Sequence, residues 1–489
     1  MRLGRRRTGI AALALAVLAT LAWPSLASGA PSDPSVRLLS AADSATLNRF
    51  GERLQLDGLP VWVAAVNDDF EIRVTRANYD TPPDIVQTDA ATAAVIRDLP
   101  EDMLNGWGGL SRFLEVTVTD SAGAPVKHRF FTLCPNAYER QRVDDSGPDV
   151  PRYPTFCADW LSFFTRGMVW GIDAGWATPA FAWSDFGVPA LRLPEGRYTF
   201  QIEIASAYAA LLEVPTEDAE VTLSVRVRDH RRRHHGEPPP VDRSARSAER
   251  PETLTVPEVT DPDPTTVPDL VALPLWGMTT FNRRGRDFVG FGATPWNAGP
   301  APLVVEGFRR PGEAVMDAYQ YFRDEDGNVV GRAPVGEFAW DTRRTHRHWH
   351  FQQFASFTLR DASDLEVVRS KKQSFCLAPT NAIDLSVERA SWTTEATDVH
   401  TACGGETALW IREVLQAGWA DTYFQGVPGQ ALNITGLPNG WYYARIDVNP
   451  LGALYEVTTA NNAESRLIYL GGRPGRRTVL VSPWHGMDI

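Results

Sequence analysis

The run 113–119 (FLEVTVT) alternates apolar and polar residues, and the same pattern returns at intervals along the chain. A period of two sends successive side chains to opposite faces, which is what a half-buried strand requires. After it come a turn at 120–123 (DSAG) and a second strand pattern at 126–133 (VKHRFFTL), an expected hairpin. Residues 220–227 (EVTLSVRV) alternate again. No long amphipathic helical pattern competes, so the predicted fold class is all-β. An internal echo sharpens this: 193–202 (LPEGRYTFQI) parallels 437–446 (LPNGWYYARI), each a Pro-X-Gly turn feeding an alternating strand. Such a unit recurs near the end of many Ig-like sandwiches, so two β-sandwich-like domains are expected.

The division between them is compositional. Residues 229–266 carry the basic run 231–235 (RRRHH), three prolines at 238–240, and then a Thr/Pro/Asp/Glu-rich stretch. A segment of that composition builds no core and reads as a stiff, solvated linker. His234 and His235 read as exposed linker residues. The expected organisation is a signal peptide at 1–30, an N-terminal domain of unassigned role at 31–228, the linker at 229–266 and a second domain at 267–489. The leader rests on Arg2, Arg5, Arg6 and Arg7, the apolar run 10–22, and small residues at 27–30. The apolar run suits a signal core and is short for a bilayer span. An exported protein with no membrane span after cleavage follows.

The formal net charge is −12, and cleavage of the arginine-bearing leader makes the chain more acidic still. That disfavours nucleic-acid phosphate as a partner and suits a cationic one. Four cysteines in an exported chain, Cys134, Cys157, Cys376 and Cys403, suggest disulfides. Three pairings are open. Local pairing of Cys134 with Cys157 and Cys376 with Cys403 is the simplest, each loop contributing ~3 kcal/mol through chain entropy. The spacing lacks a CxxC, which argues against a thiolate zinc site.

The chemistry concentrates at 345–359 (THRHWHFQQFASFTL), where His346, His348 and His350 fall at i, i+2 and i+4. On a strand all three imidazoles share one face, with the outer Cα atoms roughly 13 Å apart. A shared ion needs metal–nitrogen bonds of ~2 Å, so a bent or bulged strand is expected here. All-imidazole ligation suits copper and zinc, with copper(II) the tighter binder. The motif alone also fits the outward polar face of a strand.

Further segments follow in order: 371–377 (KKQSFCL), 418–423 (GWADTY), 437–440 (LPNG), 448–450 (VNP), Glu456, and Asn461 with Asn462; 267–274 (VPDLVALP) precedes them all. This ordered set resembles the catalytic domain of the lysyl oxidase family, here in a bacterial style of chain, over roughly 267–489. The resemblance implies that His346, His348 and His350 are copper(II) ligands. It implies that Lys372 and Tyr423 cross-link into lysine tyrosylquinone, with Lys371 the competing neighbour. It further implies a copper-dependent amine oxidase that converts primary amines, peptidyl lysine or small amines, to aldehydes with dioxygen, releasing hydrogen peroxide and ammonia. The proton-abstracting base stays unassigned, with Asp421 near the tyrosine in sequence. The chain departs from the animal pattern at Arg343 and Thr345, where animal members have His and Cys, and in having two cysteines in the matching region. Two other readings remain: a non-catalytic metal- or surface-binding β-sandwich protein, and a zinc hydrolase, which lacks a general-base Glu beside the histidines.

Overall fold

The computed structural model describes residues 33–158, 161–182, 189–229, 256–310, 313–342, 348–392 and 403–489. The expected signal peptide, most of the expected linker, Arg343, Thr345 and His346 lie outside the described residues. The fold is all-β, with two sandwich-like halves. Among the described ladders all are antiparallel except one, where Glu220–Asp229 runs parallel to Ser44–Phe50.

In the first half, the expected hairpin forms as strands Leu110–Asp120 and Pro125–Leu133. It closes one edge of a seven-stranded sheet that also holds Gly196–Ile204 and Glu220–Asp229. The alternation has its expected consequence: Phe200, Ile202 and Ile204 point inward and are buried. Two four-stranded sheets complete this half. Cys134 and Cys157 are joined as a disulfide.

In the second half, one five-stranded sheet runs Trp349–Phe351, Val329–Trp340, Val315–Arg323, Leu303–Arg309, Trp410–Leu415. The other runs Glu366–Arg369, Ala355–Arg360, Gly440–Val448, Ala463–Arg473, Arg476–Val481. Between them lies an aromatic core in which Phe338 meets Phe351, Phe354 meets Phe375 and Phe291 meets Phe357, at centroid separations of 5.5, 5.1 and 4.9 Å. Full burial of each such ring contributes ~1.5–3 kcal/mol.

The internal echo is structural as well as sequential. Tyr198 donates from its hydroxyl to the Pro194 carbonyl at 3.1 Å, and Tyr442 does the same to Pro438 at 3.0 Å. Each tyrosine pins its own Pro-X-Gly turn onto the strand that follows. The VPDL and VNP…E…NN motifs form a second structural device. Glu456 accepts from Asn449 and Asn462 at 2.6 and 2.7 Å and from the Leu270 N–H at 3.3 Å. Asn461 donates to Asp269 at 3.0 Å. These polar groups tie the domain's opening segment to its closing strands.

The two halves are packed together. Gly167 forms a parallel bridge with Asp384, with Arg166 N–H donating to Ile383 at 2.6 Å and Leu385 N–H to Gly167 at 2.8 Å. Leu161 and Phe164 of the first half share an apolar cluster with Leu273, Trp276, Trp296, Ile383 and Ala420 of the second. Tyr153 stacks on Trp392 at 5.4 Å, and Phe156 lies edge-on to Trp419.

Gly418 is central to that junction. Its carbonyl accepts from Ile383 and Asp384 N–H at 2.9 and 3.0 Å. Its φ is +86°, and a Cβ there would stand 2.5 Å from the Asp384 carbonyl oxygen. Only glycine meets both conditions without strain. Gly418→Ala is expected to cost ~2–4 kcal/mol, read as a lower thermal midpoint; a midpoint equal to the parent's would contradict this account.

Candidate active site

The His-rich motif sits on an edge strand. Only Trp349–Phe351 is regular strand, paired with Phe338, Ala339 and Trp340. His348 lies in the bend before it, its carbonyl accepting from Asp341 N–H at 3.0 Å. The expected departure from a straight strand is therefore visible at His348. The imidazoles of His348 and His350 approach to a centroid separation of 4.7 Å. With metal–nitrogen bonds of ~2.0–2.1 Å, two rings so spaced are within reach of one ion. His350 is fully buried, and its Nδ1 lies 3.3 Å from Ser374 Oγ and 3.4 Å from an Asp341 carboxylate oxygen. Such partners orient an imidazole and fix which nitrogen faces a metal.

The segment 372–378 gathers the remaining parts. Phe375 exchanges two backbone hydrogen bonds with Phe351, at 2.8 and 3.0 Å, which lays this segment beside the histidine strand. The Phe375 ring meets the Tyr423 ring edge-on at 4.8 Å. Cys376 holds the Tyr423 hydroxyl from both sides: the hydroxyl donates to its carbonyl at 2.9 Å and accepts from its N–H at 3.2 Å. Cys376 is disulfide-bonded to Cys403, and the Cys403 carbonyl accepts from Trp349 N–H at 2.8 Å. The disulfide thus closes a ring between the lysine segment and the histidine strand.

Lys372 is buried, with 2% of its surface exposed, and its Nζ stands over the Tyr423 ring at 4.1 Å from the centroid. Tyr423 keeps partial exposure. Its backbone is fixed by paired hydrogen bonds with Ala293, both 2.9 Å. Lys371, by contrast, is exposed. The structure therefore brings together Lys372, Tyr423, His348 and His350, while His346 lies outside the described residues.

Two carboxyl groups complete the surroundings. Asp421 precedes Tyr423 by two residues and is buried. Burial holds its carboxyl well above the ordinary range, while the Lys372 ammonium and an Ala378 N–H pull it back. Glu413 is fully buried, and its Oε2 accepts from Leu377 N–H at 2.8 Å. Burial also raises its carboxyl well above the usual range, opposed by that N–H and reinforced by Asp421. The Tyr423 phenol is pushed up by burial first and by Asp421 and Glu413 next.

Residues 326–475 match the sequence profile of the lysyl oxidase family. Residues 326–475 carry a lysyl oxidase domain. The protein-lysine 6-oxidase of Sus scrofa is 27% identical over 150 residues, which cover 30% of this chain and 54% of that protein. For the protein-lysine 6-oxidase of Rattus norvegicus the identity is also 27%, over 30% of this chain and 33% of the relative. Lysyl oxidase homolog 2A of Danio rerio is 26% identical over 27% of this chain and 16% of its own length. The chain thus spans about half of the pig protein and a third or less of the other two.

The lysyl oxidase domain includes His346, His348, His350, Lys372 and Tyr423, and the first half of the chain falls outside it. Cys376, Cys403 and Glu413 also cluster, with one ligand-type atom from each within 4.8 Å of the others. The two sulfurs are bonded to each other, so this cluster offers no thiolate to a metal. Asp341, Ser374 and Glu413 were not singled out from the sequence. For Glu413 the signal was present: in 410–415 (WIREVL) it shares parity with Ile411 and Leu415, both buried. Parity places a carboxyl on the inward face.

Glu413 gives a testable pH dependence. A raised carboxyl means the native state keeps a proton that the unfolded chain releases near pH ~4.3. Its contribution therefore erodes stability as pH rises above that point. Glu413→Gln retains the acceptor for Leu377 and removes the titration. Urea unfolding at pH 4 and pH 7 should show the variant gaining about 1 kcal/mol or more on the parent at the higher pH; parallel behaviour would contradict it.

Proposed function

We propose that this chain is an exported copper-dependent amine oxidase, with 267–489 as its catalytic domain and 31–228 as a packed companion. The observation that carries the reading is the placement of the Lys372 amine 4.1 Å over the Tyr423 ring, on a segment whose Phe375 pairs with Phe351, the residue after His350. His346, His348 and His350 would hold the copper. Copper held there would, with dioxygen, supply the oxidising chemistry, for which Tyr423 is the ring and Lys372 the amine of a lysine tyrosylquinone.

This chain's own residues prepare that event. Phe375 and the Cys376 backbone fix the ring's plane and its hydroxyl. Asp341 and Ser374 engage His350 Nδ1, which would leave Nε2 as the nitrogen to hold an ion. Lys372 is held in an apolar and aromatic setting, over both Phe375 and Tyr423. The relatives' name, protein-lysine 6-oxidase, points to peptidyl lysine, and small primary amines are the other candidates.

The full chain, purified and loaded with copper in air, should acquire visible absorbance and a phenylhydrazine adduct seen in its intact mass. It should release hydrogen peroxide with a primary amine. Lys372→Met and Tyr423→Phe should each abolish colour and adduct and lower turnover by at least ~10³-fold. A copper-loaded, folded chain that stays colourless and unreactive would leave the non-catalytic binding role. Zinc-dependent hydrolysis without peroxide would point to a hydrolase.

A further inference from the structure

We propose that the outer face of the first half's seven-stranded sheet holds a binding site for a sugar phosphate monoester, with Arg197 and Arg226 as the clamp on the phosphate. The site stands apart from the oxidase reading and gives the companion half a ligand of its own.

Strand alternation builds the site. In Gly196–Ile204 the buried Phe200, Ile202 and Ile204 leave Arg197 and Thr199 on the outer face. In Glu220–Asp229 the buried Leu223, Val225 and Val227 do the same for Ser224 and Arg226. In Ser44–Phe50 the buried Leu47 leaves Ser44 and Thr46 outside. The ladder then sets two rows across three strands. One reads Ser44, Ser224, Thr199, and the next reads Thr46, Arg226, Arg197. These side chains and the turn residue Ser121 line a cavity of about 370 Å³, a size that suits a small ligand.

Three features define that ligand. The first is charge. Arg197 and Arg226 are direct partners in the antiparallel ladder, so their Cβ atoms stand ~4.5–5.5 Å apart, where like charges destabilise a sheet. Neither guanidinium makes an ion pair or a hydrogen bond with the described residues. Among the described residues no carboxylate lines the cavity, although the chain's net charge is −12. A phosphate monoester carries about −1.5 to −2, which matches two guanidinium groups, and each planar fork can take two of its oxygens. A carboxylate or a sulfate ester brings a single charge.

The second feature is hydrogen bonding. Ser44, Thr46, Ser121, Thr199 and Ser224 spend no side-chain hydrogen bond on the described residues. Each hydroxyl both donates and accepts, which suits the hydroxyls of a sugar. The third is a contrast within the same outer face. Farther along it, Gln201 donates to Glu203 at 2.9 Å, Thr222 donates to Glu220 at 3.3 Å, and His128 Nε2 lies 2.6 Å from Glu115. There the polar side chains engage one another. At the arginine end they are left open around a cavity.

Both arginines are exposed, so substitution leaves the core intact. The full chain is titrated calorimetrically with the 6-phosphates of glucose, galactose and mannose, and each ligand's effect on the melting midpoint is followed. At least one should bind at a single site. Arg197→Gln and Arg226→Gln should each weaken that binding at least ~10-fold. The parent sugar, its 6-sulfate and inorganic phosphate should each bind at least ~10-fold more weakly than the phosphate ester. Arg226→Glu separates a ligand clamp from a structural pair. It sets opposite charges across the ladder, so the unliganded midpoint should rise while binding is lost. Three results overturn the proposal: no binding of any of the three esters to the folded parent, binding that survives in both glutamine variants, or inorganic phosphate or the sulfate ester bound as tightly as the phosphate ester. An Arg226→Glu midpoint below the parent's overturns the clamp as well, because the arginine would then be serving the fold.

Discussion

Two backbone hydrogen bonds between Phe351 and Phe375 hold the second half's chemistry in one place. Phe351 follows His350, and Phe375 lies three residues beyond Lys372. Their pairing lays the lysine segment along the histidine strand. From there the consequences are local. Ser374 faces His350, the Phe375 ring abuts Tyr423, and Cys376 grips the tyrosine hydroxyl. Backbone pairing is directional and buried here, so it tolerates little slippage. A shift of one residue would turn Ser374 and Phe375 to each other's faces and separate the amine from the phenol.

The disulfide between Cys376 and Cys403 reinforces the same contact from the other side. Cys403 accepts from Trp349, which lies between His348 and His350. The cross-link thus joins the three segments that carry the candidate copper ligands, the amine and the phenol's clamp. Such a bond persists in an oxidising compartment.

Much of this was legible in advance because strands write their burial in alternation. The hairpin at 113–133, the strand at 220–227 and the two Pro-X-Gly turns all appear where the period of two places them. Lys372 and Tyr423 were legible as a pair only through the ordered motifs, since nothing in local sequence says that residues fifty positions apart will meet. Asp341 and Ser374 stayed hidden for the same reason: each acts on His350 across a strand pairing that composition does not encode. The packing of the first half against the second was also invisible, because it rests on scattered aromatics such as Phe163, Phe164, Tyr153 and Trp392. Each of those reads in isolation as an ordinary core residue.

Buried ionisable groups separate scaffold from chemistry within this one molecule. Glu71, in the first half, is fully buried, yet it is satisfied: Arg73 and Thr88 donate to one oxygen at 2.8 and 2.7 Å, and Tyr153 to the other at 3.1 Å. Such a carboxylate is a structural keystone with both oxygens hydrogen-bonded. In the second half, Glu413 Oε1 and Asp421 Oδ2 accept no hydrogen bond among the described residues, and both lie around Lys372 and Tyr423. A fold that relied on these groups for stability alone would have paired them as it paired Glu71. Sequences break local rules where function requires it, and here two open buried carboxylate oxygens lie by a single amine and a single phenol.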